Sequence, residues 1–283
     1  MSQLTEQIRS HAAPMVDEGS LYPSTDDISM KRVSALNRLV ALMLSPREAF
    51  REIAKSPTWL VPLLIATGAV LCGSIFFQWY VKPDVDLIVR ERVEQRDHAN
   101  NRITPEADIE KQIALSRKLS TFAPLIGGVV TIAAYLLLAA IFYLGLRAIG
   151  LKPGLGLNPG FRSTLSVVSW SAALTNIFAF IGFAAATIVI GREQLSTYDQ
   201  AQASNLLATN LGAFIGSDAS PLVKSLTASL DVLTIWRLAL FSIGFGAVAC
   251  LRRVERRRVW LLVGGLWAGW IIIKALTAYV VIN

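Results

Sequence analysis

Two cysteines and two histidines are all that this 283-residue chain offers for redox or metal chemistry. Cys72 and Cys250 fall inside apolar runs that set them near opposite faces of a bilayer, whereas a disulfide needs Cα atoms within about 7 Å. His11 and His98 lie in separate polar segments far apart in the chain. No metal or cofactor is expected from this supply. Catalytic signatures are missing too: there is no H-E-x-x-H, no G-x-S-x-G, no G-x-x-x-x-G-K and no pair of aspartates inside apolar runs. The stretch "KPGLGLNPG" joins two apolar runs with no strand beside it and reads as a turn, not a nucleotide loop. The chain is expected not to be an enzyme.

Charge is scarce as well, at 17% of residues against 53% hydrophobic ones, where a soluble domain carries about 25% charged residues. With a mean hydropathy of +0.50, this composition indicates an integral membrane protein. The first 57 residues contain no basic start, short apolar core and cleavage site in succession, so no removable signal peptide is expected. The net charge of +7 sits in short segments flanking apolar runs. Membrane topology already accounts for it there, and nucleic-acid binding is not expected.

Apolar stretches able to cross about 30 Å of hydrocarbon run over residues 59–81, 122–146 and 164–190. Two more, 232–251 and 259–282, contain Arg237 and Lys274. A central charge costs about 2.5 to 3.5 kcal/mol on insertion scales, which the surrounding leucine, isoleucine, valine and tryptophan can offset. Five spans are therefore expected. Charge alternates accordingly. Arg47, Arg51 and Lys55 precede the first span, Arg147, Lys152 and Arg162 lie between the second and third, and "RRVERRR" lies between the fourth and fifth. By contrast, residues 82–120 hold eight basic and eight acidic residues. The positive-inside rule puts the amino terminus in the cytoplasm and the carboxyl terminus outside.

The outer segments carry helical patterns. In "DVDLIVRERVEQRDHANN" Val85, Ile88, Val89 and Val93 recur at helical spacing, and "TPEADIEKQIALSRKL" restarts with Thr104 as a cap and Pro105 at the first position. Together they read as a helical hairpin or a pair of extensions. "SNLLATNLGAFIG" and "SPLVKSLTASLD" read as short amphipathic helices along the outer interface.

On the inner side, "VSALNRLVALML" aligns Val33, Leu36, Leu39, Val40 and Met43, and "LSPREAF" then breaks the helix. Ser45 is expected as N-cap, Pro46 as first helical residue and Glu48 as the completing acid of a capping box. The second piece carries Phe50 and Ile53 opposite Arg47, Arg51 and Lys55, with Trp59 at interface depth. These residues are expected either to anchor a helix on lipid headgroups and the bundle or to contact a partner. The expected organisation is a polar, disordered tail over 1–32, cytoplasmic amphipathic interfacial helices over 33–57 and a five-span domain over 58–283.

Asp231 and Arg237 are six residues apart on the fourth span, about 9 Å in depth, and Lys274 falls at a depth comparable to that of Arg237. Intramembrane ionisable residues mark a functional site by default. The alternatives are a polar pocket for a lipid phosphate or other anion, and snorkelling to the outer headgroups. Gly265 and Gly269 form a G-x-x-x-G on the last span, a pattern for helix packing within the chain or between copies.

The succession "LSPREAFREIAKSPTWLVPLL", a long polar segment, "FRSTLSVVSW" and "LDVLTIWRLALFSIGFGAV" resembles the bacterial branch of the YIP-domain family, relatives of the eukaryotic Ypt/Rab-interacting proteins. The resemblance runs from about residue 36 to the end. It implies an all-α, five-span bundle with a cytoplasmic amino terminus in a bacterial plasma membrane. Where the family pattern leads one to expect a proline after Trp170, this chain reads "SAALTNI". The eukaryotic relatives are non-enzymatic partners of Rab GTPases, but no Rab-binding motif carries over residue by residue. The expected function is organisation of membrane lipids, of an unidentified membrane or cytoplasmic protein, or of further copies of the chain. The alternative is a small-solute or lipid transporter or channel. Five spans cannot divide into equal repeats for it, and Gln78, Asn176, Arg237 and Lys274 would be a sparse lining.

Overall fold

A computed structural model describes residues 34–150, 160–197, 231–249 and 253–282. The tail, the turn over 151–159, the two amphipathic stretches before Asp231 and Cys250 lie outside the described residues. Every described element is an α-helix: α1 (Ala35–Leu44), α2 (Pro46–Lys55), α3 (Leu60–Tyr80), α4 (Val85–Asn100), α5 (Glu106–Ala148), α6 (Phe161–Ile190), α7 (Arg192–Leu195), α8 (Val232–Val248) and α9 (Arg253–Ile282). Among the described residues α3, α5 and α6 are long and apolar enough to cross a membrane. α8 is a shorter apolar helix of 17 residues, about 25 Å long.

The break between α1 and α2 falls at Ser45, with Pro46 opening α2, but its chemistry differs from a capping box. The Ser45 side chain makes no capping hydrogen bond; the Glu48 amide donates to the Ser45 backbone carbonyl at 3.1 Å instead. Proline restricts the residue before it to non-helical geometry and brings no amide of its own to cap. The break accordingly rests on Pro46 and the non-helical backbone of Ser45, not on a side-chain cap.

Residue pairings give the helix directions. α3 and α6 run parallel: Trp170 Nε1 donates to the Thr58 carbonyl at 3.0 Å, Asn176 Nδ2 to the Ala66 carbonyl at 3.1 Å, and the Phe77 and Phe183 rings lie 6.0 Å apart. α5 runs against α3, since Gln78 Nε2 donates to the Ser120 carbonyl at 2.8 Å while Leu71 packs on Gly128. α8 runs against α6, with Trp236 on Phe178 and Gly244 on Val167. α9 turns back along α8, where the Arg256 stem lies on Gly246. Small residues are frequent in the buried parts of both helices: Ala66, Thr67, Gly73 and Ser74 on α3, and Ser166, Ser169, Ser171, Ala172 and Ala173 on α6. Such residues let helices approach closely where lipid supplies no hydrophobic driving force.

α4 lies along the first half of α5, as the expected hairpin. The Asp84 carboxylate accepts from the Asp86 and Leu87 amides and caps α4, and Val89 and Val93 bury against Ile113. Arg90 pairs with Glu106 at 2.6 Å, and Arg117 Nε donates to Asp86 at 2.9 Å. α4 ends at Asn101 in the left-handed region, φ 48°. Thr104 is not the cap of α5, which starts one residue later with Pro105 in the cap position. The Thr104 amide and hydroxyl donate to Asp97 at 2.6 and 2.8 Å. The hydroxyl first and the amide second hold the Asp97 carboxyl below its ordinary range.

Candidate functional site

The amino-terminal contact residues divide. Phe50 and Ile53 are 0% and 1% exposed and belong to the main core, which of the expected alternatives matches packing on the bundle. Gly244 makes the space for Phe50. A Cβ there would stand 3.1 Å from Phe50 Cζ and 2.5 Å from Val167 Cγ1. Arg47 and Arg51, on the other side of α2, are exposed, and Trp59 is half-buried against the same core.

Arg38, which the sequence did not single out as a contact residue, fastens this pair of helices to the bundle. Its guanidinium donates to Thr58 Oγ1 at 2.7 Å and Ser56 Oγ at 3.2 Å, and it lies 5.9 Å from the Trp170 ring centre. Trp170 is 1% exposed. Its indole N–H in turn holds Thr58, so α1, the 56–59 linker and α6 share one polar node.

A second node sits deeper. Arg237 enters from α8, its Nε donating to Thr175 Oγ1 at 2.8 Å and its terminal nitrogen to Asn176 Oδ1 at 2.8 Å. Asn176 Nδ2 donates to the Tyr135 hydroxyl at 2.9 Å and to the Ala66 carbonyl at 3.1 Å. The Thr175 hydroxyl donates to the Ser171 carbonyl at 3.0 Å. One amide side chain therefore uses both donors and its acceptor to join α3, α5, α6 and α8. Arg237 engages no carboxylate among the described residues.

The other expected members of this cluster are placed differently. The Asp231 carboxylate accepts from the Thr234 amide and hydroxyl, each at 3.2 Å, and caps α8. Lys274 is exposed on α9. Arg237 is thus neither paired with Asp231 nor extended to the surface. It is half-buried and held by neutral oxygens. Thr175 and Asn176, adjacent polar residues within an apolar run, were the sequence signal for its partners.

Gly265 and Gly269 do not pack within the described bundle, because a Cβ at either would meet no atom within 4 Å. Gly145, Gly244 and Gly246 are the glycines that α8 and α9 contacts use: a Cβ at Gly145 would stand 2.9 Å from Leu262 Cδ1. Among the described residues no group of three or more histidines, cysteines or acids is placed to hold a metal. Two cavities accompany the α4–α5 hairpin. One of about 550 Å³ at its tip includes Asp97, His98 and Ile103, and one of about 540 Å³ beside α3 includes Gln78, Arg92 and Ile126.

No curated protein and no solved structure matches the chain. The family model of the Yip1 domain matches residues 40–277, a stretch that starts in α1 two residues after Arg38 and takes in the whole Arg237 node. With most of its length inside that match, this chain is a member of the Yip1 domain family.

Proposed function

We propose that the protein is a non-enzymatic organiser of lipids or protein partners, working through a basic face held in fixed orientation at the amino-terminal end of its bundle. The seat of α2 carries this reading. Burial of Ala49, Phe50 and Ile53 fixes the rotation of an amphipathic helix, so that Arg47 and Arg51 point away from the core. Anionic lipid attracts each such charge by about 1 kcal/mol.

In this reading α3, α5, α6, α8 and α9 are five spans in a bacterial plasma membrane, amino terminus inside and carboxyl terminus outside. The alternating directions of the residue pairings support that count, and α8 would span a slightly thinned bilayer. The basic residues of α2, Arg147 at the end of α5, Arg162 at the start of α6 and Arg256, Arg257 and Arg258 at the start of α9 support the orientation. The polar groups that would line a transport path are instead engaged with each other at Arg237 and Asn176, which favours packing over conduction.

The test is mild extraction from native membranes and mass spectrometry of co-purifying proteins and lipids, for wild type and for Arg47→Glu with Arg51→Glu. Both positions are exposed, so the variant keeps its core. Loss of a protein partner or of anionic-lipid enrichment is expected; identical sets from both preparations would overturn the proposal. Solute-specific flux into liposomes would favour transport instead.

A further inference from the structure

At the opposite end of α3 from the basic face, we propose a binding site for a phosphate group, that of a membrane phospholipid, built by Lys82 and Arg192 with Trp79 and Tyr80. These four residues line one cavity of about 200 Å³. The parallel packing of α3 and α6 brings the ends of both helices to one level. Lys82 follows the last residue of α3, Tyr80, by two positions, and Arg192 follows the last residue of α6, Ile190, by two. Two cations from distant parts of the chain therefore converge just beyond two apolar helices, at the depth where headgroup phosphates lie.

The surroundings are arranged to keep them there. Phe77, Val81, Phe183 and Leu195 bury together beneath the cavity, and the Asp84 amide donates to the Ser196 carbonyl at 2.8 Å, tying the two exits to each other. Lys82 itself is left-handed, φ 52°, a conformation uncommon outside glycine, asparagine and aspartate. Among the described residues no carboxylate lines the cavity, Asp84 is occupied by the amides of α4, and neither Lys82 nor Arg192 has an ion-pair partner.

The chemistry below the cations selects a lipid over a free anion. Cys72, Ile75 and Trp79 lie on one face of α3, at helical spacing, and all are exposed. From α6, Ile188 and Val189 are exposed just before its end. The cavity has room for a phosphate with its ester carbons, and the acyl chains continue along this apolar strip. Trp79 and Tyr80 stand at interface depth, where amphipathic aromatics collect. The site depends on α3 and α6 crossing the membrane and not on the basic face of α2, so either can fail alone.

Native mass spectrometry of the full chain in detergent, titrated with phosphatidylglycerol, with a phosphate-free glycolipid of the same acyl chains and with inorganic phosphate, tests it. Wild type should retain phosphatidylglycerol over the glycolipid, and Lys82→Gln with Arg192→Gln should lower its affinity roughly tenfold or more. The charge-keeping Lys82→Arg with Arg192→Lys should restore most of it, which separates a lost contact from lost folding. Retention unmoved by millimolar inorganic phosphate supports the lipid as ligand; displacement by phosphate alone would overturn the lipid source and leave a free-phosphate site. Equal binding of the glycolipid, or undiminished binding by the double glutamine variant, would overturn the site itself.

Discussion

Arginine is held in two ways in this molecule. Within the α4–α5 hairpin Arg90 and Arg117 meet the carboxylates of Glu106 and Asp86, with side chains half or more exposed on the arginine side. Inside the bundle Arg237 meets a hydroxyl and an amide oxygen, and its partners are themselves committed to further groups. Water screens the first kind of pair and can replace either member, so it contributes little. Hydrocarbon offers no replacement, and the second kind contributes by what its loss leaves unsatisfied. Hairpin and bundle therefore differ in tolerance more than in the number of polar contacts.

The sharpest way to break that contrast is to close the interior space itself. Gly244→Leu should cost about 3 kcal/mol or more, because overpacking at a site already in contact with Phe50 and Val167 forces off-rotamer side chains. Loss of the folded fraction in a denaturing-detergent titration reads it. Next in size, Asn176→Leu should destabilise by about 1 to 3 kcal/mol, since it strips Arg237 of an acceptor, leaves the Tyr135 hydroxyl without a partner and removes the side-chain donor to the Ala66 carbonyl. Arg237→Met made on that background should recover part of the loss. A double-mutant cycle in the same titration would show otherwise if the two changes add.

Arg117→Ala in the hairpin should cost less than about 1 kcal/mol and lose even that in high salt. The smallest effect is a pH dependence at the hairpin tip. Asp97 is held below its ordinary value of 3.8 by Thr104. Its contribution is present above that value and is lost as pH falls through the lower folded-state value. Amide protection around Asn101, taken relative to the intrinsic exchange rate at each pH, should fall on acidification below about 4, and Thr104→Val should flatten that response while the backbone donor retains part of it.

Much of this was legible from residue order. The apolar runs 59–81 and 164–190 became α3 and α6 within three residues at each end, because burial in hydrocarbon demands one uninterrupted helix. The run 122–146 was also present, but α5 begins at Glu106. No residue between Lys118 and Phe122 breaks a helix, and Pro124 is absorbed inside it, so a polar extension and a membrane segment fuse. The Ser45–Pro46 break was legible because proline acts through its own neighbour. The inward face of α2 was legible as apolar, but its destination stayed open between the bundle with its headgroups and a partner, since the room for Phe50 is supplied by the missing side chain of Gly244. For the same reason the Gly265–Gly269 pattern, read as packing, points away from the described bundle. Spacing reveals a small surface without revealing what meets it.

The position of Gly244 also imposes an order of assembly. Phe50 leaves the ribosome long before α8 exists. At ordinary elongation rates the chain needs roughly ten to forty seconds more to reach the glycine that receives it. During that interval the apolar side of α2 has only α1 and α6 to lean on and lacks its main seat. Docking of the amino-terminal pair therefore reports arrival of α8, and a chain truncated before α8 leaves Phe50 less covered for any quality-control machinery that samples the membrane surface.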